Sequence, residues 1–80
     1  MKLQIKLFGI AREMAGSSTL EIELEESATI KDFKQTLFTV LPDLARLRTL
    51  MVAVNTDYGE DDTILRSDDE IAVIPPVSGG

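Results

Sequence analysis

Thr29-Ile30-Lys31-Asp32-Phe33-Lys34-Gln35-Thr36-Leu37-Phe38-Thr39-Val40-Leu41-Pro42 is the stretch on which the fold turns. Ile30, Phe33, Leu37, Val40 and Leu41 recur at spacings of three and four, which gathers them into one apolar stripe on a helix, while Lys31, Lys34 and Gln35 fall outside it. Thr29 followed three residues later by Asp32 has the form of a capping box, and the carboxylate complements the helix dipole. The spacing therefore predicts a helix starting at Ile30, and Pro42 ends the regular run. Such a stripe needs an apolar face to cover, and the flanking segments supply one.

Upstream, Lys2-Leu3-Gln4-Ile5-Lys6-Leu7-Phe8 alternates with Leu3, Ile5 and Leu7 on one face, the period of a half-buried strand. Leu20, Ile22 and Leu24 alternate with Glu21, Glu23 and Glu25 in a second strand. Between them, Gly9 to Ser18 reads as a wide loop carrying Arg12, Glu13 and Gly16. Downstream, Met51-Val52-Ala53-Val54-Asn55 is a third strand, Asn55 to Asp62 a polar turn, and Thr63-Ile64-Leu65 a very short edge strand. A turn at Arg66-Ser67-Asp68-Asp69-Glu70 precedes a last strand, Ile71-Ala72-Val73-Ile74, stopped by Pro75-Pro76. Asp43 to Leu50, with Leu44, Leu47, Arg46 and Arg48, fits a further helical turn or an extended connector equally well. The order ββαββ(β) implies an α+β fold with a mixed sheet of four to five strands packed on one main helix. Residues 1–76 are expected to form the domain and 77–80 a tail.

Eighty residues make one small domain, and 44% hydrophobic with 28% charged residues is a globular balance. The net charge of −6 argues against nucleic acid or an anionic membrane and in favour of a basic partner protein. Cysteine and histidine are both absent, which excludes a disulfide, a thiolate metal site, a Cys nucleophile and a His base. No metal site is expected: neither Asp68-Asp69-Glu70 nor Glu60-Asp61-Asp62 has the spacing of a calcium loop. Ser17, Ser18 and Ser78 have no base beside them. The alternating start has no apolar signal-peptide core and no run reaches membrane-spanning length, so the cytoplasm is the expected location.

If the helix covers the face that carries Leu3, Ile5, Leu7, Val52, Val54, Ile71 and Val73, the other face receives Phe8, Met51, Ala53, Ala72 and Ile74, all apolar. A local slip of register or an overlying loop would account for single residues. As a set, with Phe8 and Ile74 beside the tail, they point to a docking surface. Pro75-Pro76-Val77-Ser78-Gly79-Gly80 is the second oddity. The prolines stiffen the exit, and two residues without side chains can enter a narrow channel; a frayed terminus is the plain alternative.

These features together resemble the sulfur-carrier small subunits of molybdopterin synthase, a family with the ubiquitin-like β-grasp fold. The resemblance spans the chain and rests on Leu7-Phe8-Gly9-Ile10-Ala11-Arg12-Glu13-Met14-Ala15-Gly16, on Val52-Ala53-Val54-Asn55, and above all on Pro75-Pro76-Val77-Ser78-Gly79-Gly80. It implies no permanently bound cofactor. The Gly80 carboxylate would be adenylated by an E1-like enzyme using ATP, converted to a thiocarboxylate with sulfur from a donor protein, and delivered to the large catalytic subunit. There the sulfur passes to precursor Z. Gly79, Ser78 and Val77 would thread the active site, and Phe8, Ile74, Pro75 and Pro76 would meet the partner. Arg12 and Glu13 match family loop residues, with a structural role expected. The family turn Asp-Gly-Asp-Glu is Ser67-Asp68-Asp69-Glu70 here, which implies local strain if Asp68 must adopt φ > 0. Rival readings are a carrier for thiamine or tRNA thiolation, a ubiquitin-like protein modifier, and a passive interaction module.

Overall fold

Alternating polarity builds the first strand, β1 (Lys2–Leu7), in a computed structural model that describes residues 1–47 and 50–75. Leu3, Ile5 and Leu7 are buried and their neighbours exposed, as the period of two requires. The chain then forms a short helix, α1 (Gly9–Ala15), where the sequence suggested only a loop. Ala11, Met14 and Ala15 lie three and four apart and face the core, with Ala11 fully buried. Gly16 ends α1 in the left-handed conformation, φ +72°, its N–H donating to the carbonyls of Arg12 and Glu13.

Strand β2 (Thr19–Glu23) pairs antiparallel with β1, Leu3 opposite Ile22 and Ile5 opposite Leu20. Helix α2 (Ile30–Val40) begins where the sequence places it. The Thr29 hydroxyl accepts from the Asp32 amide at 3.3 Å, and the Asp32 carboxylate accepts from the Thr29 amide at 3.0 Å, completing the capping box. Ile30, Phe33 and Leu37 are fully buried, whereas Val40, at 50% exposure, lies outside the working stripe. Each fully buried side chain of this size contributes roughly 1.5–3 kcal/mol.

A 3-10 turn over Pro42–Arg46 settles the first part of the ambiguous connector and buries Leu44; Arg48 lies outside the described residues. Strands β3 (Met51–Val54) and β4 (Asp57–Tyr58) form a two-residue hairpin inside what read as an irregular turn. The last strand, β5 (Ile71–Ile74), has the expected bounds. The Thr63–Leu65 segment forms no named strand but a single bridge, Thr29 to Ile64. Asp68 is not among the residues with positive φ, so the altered turn carries no left-handed strain. It is held instead by the Asp69 carboxylate, which accepts from the Arg66 amide at 2.7 Å.

The sheet order is β2-β1-β5-β3-β4. β5 sits in the middle, parallel to β1 and antiparallel to β3, which makes the sheet mixed and five-stranded. One face, with α2 laid across it, holds the core; the other is open. The expected α+β architecture is borne out.

Candidate functional site

The parallel register of β1 and β5 decides what stands where the chain leaves the sheet. Leu7 is level with Val73, and the Phe8 amide donates to the Val73 carbonyl at 3.2 Å, so Phe8 stays extended one residue further and comes level with Ile74. Ile74 is in turn opposite Met51 at the start of β3. Leu7 and Val73 face the core, hence Phe8, Ile74 and Met51 form a row across the open face. Phe8 is 48% and Met51 37% exposed, and Ile74 is half-buried. Ile10, at the start of α1, adds another exposed apolar side chain at 43%.

Ala53 corrects the expected surface. It is only 6% exposed, because its cross-strand neighbours are Ala72 and Tyr58, and a tyrosine ring directly opposite shields so small a side chain. Tyr58 itself is 64% exposed and extends the open face to the β4 edge. The face changes character away from the exit. Glu23 is paired with Lys2 and Glu21 with Gln4, and Lys6 makes a 2.8 Å ion pair with Glu70. With both partners more than half exposed, that pair contributes at most about 1 kcal/mol.

Of the residues that the sequence assigns to a partner, Phe8 and Ile74 are brought together on this face. Pro75 is buried instead, its ring against the backbone of Gly9, so it anchors the exit and is not offered as contact surface. Pro76, Val77, Ser78, Gly79 and Gly80 lie outside the described residues. Gly9 is the residue that sequence reasoning missed. It has φ +56°, and it meets Pro75 from a chain segment more than sixty residues away, whereas in the sequence it marked only the end of the first strand's alternation. Arg12 and Glu13 stand on α1, lining a shallow surface notch with Gly9 and Ile10.

Among the described residues no polar or charged side chain is buried, and no group of carboxylates is arranged to hold a metal. A family profile described as ThiS matches residues 5–80. The chain belongs to the ThiS family. This ThiS-family chain is 33% identical over its full length to the molybdopterin synthase sulfur carrier subunit of Arabidopsis thaliana, covering 84% of that protein. It is 34% identical to the sulfur carrier subunit of the same name from Dictyostelium discoideum, covering 99% of this chain and 96% of that one. Among solved structures, SAMP1 from Haloferax volcanii matches with a TM-score of 0.87 and 29% identity over the whole of both chains. The resemblance to the sulfur-carrier family and the ubiquitin-like β-grasp architecture are thereby borne out. No described helix is long and apolar enough to cross a membrane.

Proposed function

We propose that this ThiS-family chain is the sulfur carrier of a molybdopterin synthase, with residues 1–76 as the docking domain and 77–80 as the delivering tail. The observation that carries the reading is the exit itself. The central strand of the sheet ends at Ile74, between Phe8 and Met51 on the open apolar face, so a partner bound to that face lies beside the point where the chain leaves the sheet.

The chemistry is supplied by others. A carboxylate is a poor electrophile, so an E1-like enzyme transfers AMP from ATP to the Gly80 carboxylate and releases pyrophosphate. Sulfide-level sulfur released from a sulfur donor protein then attacks the acyl-adenylate, AMP leaves, and a thiocarboxylate remains. Docked on the large subunit through Phe8 and Ile74, with Pro76 following and Val77, Ser78 and Gly79 threading the channel, the tail hands sulfur to precursor Z. Water restores the carboxylate. A chain lacking Cys and His can serve because its reactive group is a main-chain carboxylate. The reactions belong to the cytoplasm, where ATP and the partners are found.

Likeness to SAMP1 favours a second reading, since that name denotes a small archaeal modifier protein. The same acyl-adenylate would then be captured by a lysine amine, giving an isopeptide bond.

The test is the intact mass of the chain after incubation with ATP, an E1-like activator and a sulfur donor, beside a chain lacking Gly80. The expected result is the mass gain of one oxygen exchanged for sulfur, absent in the control. No gain with an activator proven on a known carrier, together with attachment to lysines, would replace the carrier reading with the modifier reading.

A further inference from the structure

An ideal Cβ built on Gly9 would lie 3.1 Å from Cγ and 3.8 Å from Cδ of Pro75. The first distance is tighter than ordinary van der Waals contact, so a side chain at position 9 must push the proline ring by a few tenths of an ångström. The backbone leaves little room to yield. Immediately before Gly9, the Phe8 amide is tied to the Val73 carbonyl at 3.2 Å, and the Phe8 carbonyl accepts from the amides of Ala11 and Arg12 at 3.1 and 3.4 Å. Pro75 is buried and directly follows β5, with five residues of chain from it to Gly80.

We propose that Gly9 is a positioning residue for sulfur delivery: lacking a Cβ, it seats the Pro75 ring at the β1–α1 junction, and that seat sets the direction in which the tail leaves the sheet. The inference rests on the carrier reading above and adds a residue which that reading does not require. Five residues span at most about 17 Å when extended. Misplacing a reacting atom by about 1 Å can lower a rate roughly a hundredfold, and a displaced Pro75 ring shifts the point from which those five residues start.

The test uses the full chain, loaded as the thiocarboxylate by sulfide cleavage of an intein fusion so that the activating enzyme plays no part. The step measured is single-turnover transfer at saturating large subunit: the terminal C–S bond breaks, sulfur passes to precursor Z, and water supplies the oxygen of the restored carboxylate. Gly9→Ala is compared with Gly16→Ala. Gly16 has φ +72°, yet an added Cβ there meets nothing within 4 Å, so this control carries the left-handed strain of the first variant without touching Pro75.

Both variants are expected to show a lower urea midpoint and to bind the large subunit within threefold of the unmodified chain. Gly9→Ala transfers sulfur at least tenfold more slowly, and Gly16→Ala within twofold of normal. Pro75→Ala leaves position 9 untouched and removes the ring, so it shows the same loss of transfer with docking kept, and it carries the test if Gly9→Ala does not fold. Adding Gly9→Ala to Pro75→Ala produces no further loss. Normal transfer in Gly9→Ala or in Pro75→Ala, or equal loss in Gly9→Ala and Gly16→Ala, would overturn the proposal. Failure of the unmodified loaded chain to transfer sulfur would overturn the carrier reading itself.

Discussion

The β3–β4 hairpin closes on two residues that both have positive φ, Asn55 at 54° and Thr56 at 75°. Two such residues in a two-residue loop make a type I′ turn, which suits the twist of the strands but asks for glycine or asparagine. Thr56 is β-branched and exposed, and among the described residues no hydrogen bond of its side chain offsets the strain. Thr56→Gly should therefore stabilise the protein. Relief of the left-handed conformation is worth about 1–2 kcal/mol, and the extra freedom of glycine in the unfolded chain takes back about 0.5–1 kcal/mol. The net gain is about 0.5–1 kcal/mol, a rise in Tm of about 3–6 °C for a domain of this size.

Asn55→Gly is the matched comparison. Asparagine tolerates this conformation, and its side chain clamps the turn before β5: Nδ2 donates to the Asp69 carboxylate at 2.8 Å, and Oδ1 accepts from the Glu70 amide at 2.9 Å. Losing both bonds should lower stability by about 1–2 kcal/mol. Thermal and urea unfolding followed by circular dichroism read both variants. A destabilised Thr56→Gly, or two replacements acting alike, would refute the account of this turn.

Three further outcomes follow from packing. Leu37→Ala removes a fully buried side chain from the middle of α2 and should reduce stability by about 2–5 kcal/mol, read as a lower urea midpoint. Gly59→Ala places a Cβ against Cδ1 of the fully buried Ile30, and overpacking at that point should cost about 1–3 kcal/mol in the same assay. Ile74→Asp sets an unpaired charge in the apolar row and should weaken binding to the large subunit about thirtyfold or more by calorimetry; unchanged affinity would remove this face as the docking surface.

Much of this was legible because the signals were local. The Thr29–Asp32 capping box, the stripe through Ile30, Phe33 and Leu37, and the alternation in β1 and β5 each lie within a few residues, and short-range geometry fixes their outcome. Even α1 left a trace, in the spacing of Ala11, Met14 and Ala15 before Gly16, although the surrounding glycines and serines masked it. Phe8 and Ile74 were readable as surface residues by parity alone. Their meeting was not, since it follows from β1 and β5 being parallel neighbours, a pairing between residues far apart in the chain.

By itself the sequence determined the strands β1, β2, β3 and β5 and the helix α2, most of their buried faces, and the absence of any Cys or His to serve as a reactive group. Tertiary structure alone decided the rest. It placed β5 at the centre of the sheet, buried Ala53 beneath its neighbours, turned Pro75 inward and brought Gly9 against it. The physical reason is that periodicity records which side of an element avoids water, whereas the approach of two backbones depends on which strands become neighbours. At Gly9 the residue's meaning lies in the absence of a side chain, and that absence acquires a consequence only when the Pro75 ring arrives from the other end of the chain.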